Sequence, residues 1–428
     1  MLTSYFNKTS ILSLLAALLF MGACTEDSNI IFDPDHEYDD IDPVVTQVIP
    51  ERSAFAGVGT VTETGIDPVI ITGQNFGTDK SQIIVYFGTS RAEILSLQDD
   101  QILVTPPNDP GEERRIRVVK VHAEKYSEFP EDPEEQYELR QIFTPYPVFE
   151  DADTPRAITT GFDGELYAMN VVPAGNDGIV MVDREEEEMV PISAKGEAWI
   201  YNRIHHGPDG YVYASRGGNV NVIYRVDASI GLGGGDAPIP EIFTRDIPRA
   251  QGVQDLTFDS NGYLWACYPN NILRADPASA DAESYSMQGD IRTIRYHDGY
   301  LYASIVRDGE SGIWRVPITG DGTPGEEELY VMMPNDDILV RSMAFTAAGD
   351  LVMAVNTIES LMIFRNGQVQ ELYPGIVPPG ATTLAVSSDN PKQLIIGIIG
   401  TTIDGVTSQT RVLKLEMEQE MELFYGTF

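Results

Sequence analysis

Arginines recur at one place in a repeated strand. Aligning six similar segments puts Arg156, Asn202, Gln254, Arg292, Arg341 and Thr382 in one column, and Ala157, Arg203, Asp255, Thr293, Ser342 and Thr383 in the next. Guanidinium groups gathered at one mouth could hold a carboxylate, a sulfate or an acidic sugar through forked, charge-assisted hydrogen bonds. The competing reading is internal: the arginines pair with Asp255 and with acidic loop residues in a solvated channel. Trp199, just before the second segment, offers a flat face to a sugar ring or packs beneath a loop. The candidate ligand-binding set is therefore Arg156, Trp199, Asn202, Arg203, Gln254, Asp255, Arg292 and Arg341.

Hydrolysis or lactone opening needs paired acids or metal ligands. Asp255 is the only carboxylate in the two columns, and neither an HExxH nor a CxxC spacing occurs. No catalytic residue, metal or cofactor is assigned. His205 and His206 are adjacent on a strand, so they face opposite sides and cannot line one site together. Cys267, inside an apolar strand, reads as a small buried residue. Arg225, Arg274, Arg315, Arg365 and Lys414 recur at equivalent places, which marks them as structural.

The elements that position these residues repeat. In residues 253–266 two apolar runs flank an Asn-Gly turn, and Asp163-Gly164, Asp209-Gly210, Asp298-Gly299 and Ala348-Gly349 mark equivalent turns. A sixth copy has Asp389-Asn390-Pro391 instead. Glycine supplies the positive backbone angles that tight hairpins demand. A third strand follows each hairpin, and a more variable fourth run follows that. A four-stranded meander of roughly 40 to 50 residues has the period of a propeller blade. Such sheets cover one another only in a closed ring, here of six. Either residues 142–149 or the terminal run 421–425 completes the closing blade.

A net charge of −38 excludes a nucleic-acid partner, which requires a basic surface. At the N-terminus, Lys8 precedes an apolar run over residues 11–20 and then Met21-Gly22-Ala23-Cys24. The run suits a signal peptide and is too short to span a bilayer. Small residues before the cysteine resemble a bacterial lipobox, which implies a signal peptide over 1–23 and lipidation of Cys24. The acidic residues that follow resemble the surface-export signal of Bacteroidetes lipoproteins. Residues 24–42 are polar and lack apolar period, as in a flexible tether.

Residues 43–146 follow another pattern, with short strands broken by Gly, Pro and Asn, as in a small sandwich. Gly73-x-Asn75-Phe76-Gly77, Val85-x-Phe87-Gly88, Ala92 and the prolines at 106, 107 and 110 resemble an IPT/TIG immunoglobulin-like domain, with residues 126–138 as an acidic insertion. In residues 147–428 the Asp-x-x-Gly-x-Leu-Tyr/Trp-Ala repeat resembles NHL-type propellers. The expected fold is all-β: an immunoglobulin-like β-sandwich followed by a six-bladed β-propeller.

Together these features resemble the accessory lipoproteins of Bacteroidetes nutrient-uptake systems. The resemblance implies a non-enzymatic protein at the outer membrane, facing outward and held by lipid alone. It would bind an external nutrient such as a glycan beside a transporter. The alternatives are a propeller lyase or lactonase, and an adhesion or assembly module working through blade edges or the glycine-rich residues 230–235.

Overall fold

The computed structural model describes residues 41–50, 61–63, 68–107, 111–130, 132, 137–140, 143–146, 148–149, 153–162, 164–172, 175–183, 188–193, 201–216, 222–229, 239–244, 252–373, 377–417 and 419–425. The chain divides into two compact units, Met1–Arg140 and Gln141–Phe428. Both are built from strands, and among the described residues no helix is long and apolar enough to cross a membrane.

In the first unit the alternation of apolar and polar residues decides which face is buried. Val69 and Ile71 point inward from Val69–Gln74, and Ile83, Val85 and Phe87 from Ile83–Phe87. One sheet runs in the order Val44–Pro50, Val69–Gln74, Gln101–Thr105, Glu93–Gln98; a second runs Ser127–Phe129, Ile116–Lys120, Ile83–Phe87, Ser90–Arg91. Gly73 is required sterically: a Cβ there would lie 1.9 Å from the Val44 carbonyl oxygen. Asn75 takes a positive φ of 64°, and its Nδ2 donates to the Asp42 carbonyl at 3.1 Å. Residues 126–138 do more than insert. They supply the Ser127–Phe129 strand and the fully buried Tyr137, whose ring meets Phe87 edge-on at 5.9 Å.

Among the described residues the second unit contains six four-stranded antiparallel sheets. Their innermost strands are Thr154–Thr160, Arg203–His206, Asp255–Phe258, Asp290–His297, Val340–Phe345 and Ala381–Val386. Each packs against the next and the first against the last, so the ring closes as a six-bladed propeller. The turn glycines Gly164, Gly210, Gly262, Gly299 and Gly349 all have φ between 77° and 87°. Turn aspartates bind rings on the returning strand: Trp265 Nε1 donates to Asp259 at 2.8 Å, and the Tyr213 hydroxyl to Asp209 at 2.7 Å.

The recurrent third-strand cations belong to the blades. Arg274 lies over Tyr263 at 4.9 Å, and Arg315 over Tyr300 at 4.5 Å with Glu328 at 2.7 Å. Arg225 pairs with Glu241 and Arg365 with Asp350. Stacking and pairing of this kind hold the outer strand to its neighbour. Trp265 is fully buried and Trp314 nearly so. Cys267 is also fully buried, and burial pushes its thiol pKa well above the usual value.

The last blade is completed from the front of the unit. Phe143–Pro145, which the sequence division assigns to the first domain, pairs antiparallel with Arg411–Glu416, Phe143 opposite Leu415. Residues 421–425 take another place, at the far end of the channel.

Candidate functional site

An inner strand of a propeller has one sheet neighbour, so its other edge carries unpaired backbone N–H groups. Side chains from the preceding blade satisfy several of them. Thr159 Oγ1 accepts from His206 N at 3.3 Å, Asp255 from Ile294 N at 3.1 Å, and Ser342 Oγ from Leu384 N at 3.1 Å. Much of the polarity in the second aligned column is therefore a set of fasteners between blades. Asp255 also accepts from the Thr293 hydroxyl and from Leu256 N at 2.9 Å. Its carboxylate is committed to the scaffold.

The first column behaves differently. The inner strands of the first, fourth, fifth and sixth blades shift register at Arg156, Arg292, Arg341 and Thr382. A bulge inserts one unpaired residue and re-aims its side chain. Four of six column members thus leave the sheet alternation, and three are exposed arginines. The other two, Asn202 and Gln254, precede their strands; their backbone N–H groups bond to the Ser215 and Cys267 carbonyls, both at 2.8 Å. Asn202 Nδ2 reaches the Val253 carbonyl at 3.4 Å, and Gln254 Nε2 the Gly252 carbonyl at 3.0 Å.

Arg203 gathers the mouth together. Its Nη1 donates to the Asn202 carbonyl at 2.9 Å, and its Nη2 to the Arg341 and Thr382 carbonyls at 3.0 and 3.4 Å. Its Nε lies 3.8 Å from Asp255. Arg292 is paired with Asp290. Arg341 has its pKa lowered by burial, then by the charges of Arg203 and Arg292, so three guanidinium groups share one region. Arg156 stands exposed on the first blade. Trp199 and residues 230–235 lie outside the described residues.

One layer down stand two residues left out of the sequence-based set. Arg295 is 5 % exposed and its Nε donates to the Met343 carbonyl at 3.0 Å. His205 is buried, with Nδ1 2.8 Å from the His206 carbonyl, an arrangement in which Nδ1 carries the proton. Burial first, and the nearby Arg295 charge second, push its pKa down to about 3. His206, on the opposite face, sits between Phe162 and Tyr167. Three positions of the corresponding column hold Thr159, Thr257 and Ala344; a long cation and an imidazole among such small residues are the sequence signal for this layer.

The chain's own tail packs at the far end of the inner strands. Glu422 N donates to the Phe345 carbonyl and Ala347 N to the Glu420 carbonyl, both at 2.8 Å, and Glu422 pairs with His297. Tyr425 meets Tyr296 edge-on at 5.1 Å. Phe424 lies under the axis, its ring centre 3.9 Å from the Arg295 guanidinium carbon and 5.9 Å from the His205 ring. Arg341 and Phe345 are four residues apart on one strand, so mouth and tail are separated by about 13 Å at 3.3 Å per residue. The tail thus packs against the ends of the inner strands opposite the arginine column. A cleft of about 380 Å³ between the third and fourth blades, lined by Tyr285, Met287, Val316 and Glu327, is formed largely by outer strands and stands apart from both.

Among the described residues no group of His, Cys, Asp and Glu is arranged to hold a metal ion. No curated protein matches the chain. Among solved structures, an auxiliary nutrient binding protein from Bacteroides thetaiotaomicron is 14% identical, with a TM-score of 0.54 over 91% of this chain and 100% of that one. A luciferin-regenerating enzyme is 12% identical, with a TM-score of 0.51 over 67% of this chain and 98% of that one. At such identities the likeness is one of fold, and that fold serves both a binding protein and an enzyme. The IPT/TIG domain family matches residues 43–128, so this part of the chain is an IPT/TIG domain.

Proposed function

We propose that this protein is a lipid-anchored outer-membrane protein, tethered through Cys24 and facing outward, that binds an external glycan without transforming it. It would serve as an accessory to nutrient uptake through an outer-membrane transporter. The observation that carries the reading is the arginine column at one end of the inner strands, with the tail packed at the other. Bulges release Arg156, Arg292 and Arg341 from the strand alternation at the first end, while Phe424 lies at the second. Exposed guanidinium forks suit acidic sugars. The auxiliary nutrient binding protein that shares the architecture supports the same direction.

The test is retention on affinity gels containing neutral, uronate-bearing and sulfated polysaccharides, for the wild type, Arg341→Ala and Arg292→Ala. Retention by an acidic glycan that either substitution weakens by about tenfold, roughly 1.4 kcal/mol, supports the site. Unchanged retention in both variants removes it, and turnover of the polysaccharide removes the non-enzymatic part. Labelling with a palmitate analogue, lost in Cys24→Ala, tests the anchor.

A further inference from the structure

Below the arginine mouth the inner strands hold a cation that glycan capture does not use. Arg295 is buried, and among the described residues it belongs to no ion pair within 4.0 Å. Its Nε is bonded to the Met343 carbonyl, but Nη1 has no hydrogen-bond partner. The carboxylate whose charge it feels, Asp255, is already engaged by Thr293, Ile294 N, Leu256 N and Arg203. The Nε of Arg203 likewise has no hydrogen-bond partner. Across the axis, His205 Nε2 is buried and unpartnered as well.

Arginine keeps its charge at every accessible pH. Two guanidinium groups, with Arg341 above them, therefore face a single carboxylate inside a protein whose net charge is −38. The Phe424 face under Arg295 offsets part of the imbalance through its ring electrons. It supplies no acceptor for Nη1. An unpaired buried cation with orphaned donors is costly, and a counter-ion removes that cost.

We infer that Arg295 and Arg203 hold one small monovalent anion on the propeller axis, between the arginine mouth and Phe424. Two sources share this chemistry: a free halide, and the carboxylate of a small molecule that enters from the mouth. The seat is separate from glycan capture, because the exposed Arg341 side chain takes no part in it and remains available to a larger ligand. Arg203 contributes an unpartnered Nε–H donor, whereas His205 Nε2, with the ring proton on Nδ1, is an acceptor and holds the anion only once protonated. Anion uptake would also favour proton uptake by His205, whose depressed pKa reflects Arg295 in part.

The experiment is thermal unfolding of the purified full-length chain at a constant ionic strength of about 0.15 M, where general screening is fixed. The bulky sulfonate HEPES is replaced stepwise by chloride in one series and by acetate in another. The wild-type midpoint is expected to rise saturably by about 2–4 °C with at least one of them. Arg295→Met should show no such rise. A response to chloride identifies a free inorganic anion; a response to acetate alone identifies a carboxylate.

No saturable shift with either anion overturns the seat. An equal shift in Arg295→Met reduces the result to an adventitious ion only and overturns it too. If Arg295→Met does not fold, the wild type answers by NMR. At fixed protein concentration, excess broadening of the chloride or acetate resonance that falls away as that anion is raised supports the seat, and excess broadening that is unchanged across the anion titration sinks it. Glycan retention is read separately, so loss of either result leaves the other standing.

Discussion

The Nη2 of Arg203 donates to the main-chain oxygen of Arg341 at 3.0 Å, tying the second blade to the fifth across the axis of the ring. The receiving residue sits at a bulge. Arg203 thus fixes the backbone from which the Arg341 side chain reaches the mouth, which gives two arginines of one site different duties.

Those duties separate by mutation. Arg203→Met removes bonds to three carbonyls and the neighbour of Asp255, so it should destabilise the fold by about 2–3 kcal/mol and weaken ligand retention as well. Arg341→Met, at an exposed position, should change stability by less than about 0.5 kcal/mol while still reducing retention. Urea unfolding of both variants beside the affinity gel checks this. Equal destabilisation by the two substitutions would contradict the division.

The tail makes a second prediction. Phe424 is 6 % exposed and touches both His205 and Arg295. Phe424→Ala should cost about 3–4 kcal/mol, within the range for buried aromatic truncations, and loosen the tail from the inner strands. Hydrogen exchange should then quicken at the amides of residues 343–345 and 294–297, next to the tail. If exchange quickens only in residues 419–425, the tail is an appendage and does not brace the inner strands.

A third prediction concerns acid. The His205 pKa is held at about 3, from a usual 6.5, chiefly by burial. Between those values the unfolded chain binds a proton that the folded chain does not, so stability falls as pH drops. The contribution is complete above about pH 6.5 and is lost progressively down to about pH 3. His205→Gln should therefore flatten the decline in unfolding free energy between about pH 6.5 and 5, above the main carboxylate range. An identical slope in wild type and variant would show that His205 already carries its proton in the fold.

How much of this the sequence discloses depends on repetition. Blade count, hairpin turns and inner strands recur, and so do the Arg225, Arg274 and Arg315 positions, because every blade solves the same packing problem. The bulges at Arg292 and Arg341 are invisible in composition, since one extra residue alters pairing without altering the apolar pattern. Arg295 is legible only as an exception, one long side chain in a column of small ones. Phe424 acquires its role only from ring closure, which places its strand partners far away in the chain. In the first unit, Tyr137 escapes notice because its strand is short and follows an acidic stretch that reads as loop.

The closing strand provides the last test. A chain starting at residue 147 matches the sequence-based boundary but lacks Phe143–Pro145 and Tyr146; a chain starting at residue 141 retains both. Tyr146 is 3 % exposed, its N–H bonds to the Val412 carbonyl at 2.9 Å, and Lys414 lies 4.2 Å from its ring centre. Without these contacts Arg411–Glu416 becomes an uncovered edge, a template for pairing with another chain. The shorter chain should melt several degrees lower, about 2–4 °C for each kcal/mol lost, and should elute partly as dimers or aggregates. Among the described residues Arg411–Glu416 has no other outer partner in the sheet, so equal melting of two monomeric chains would mean that another segment had taken that place.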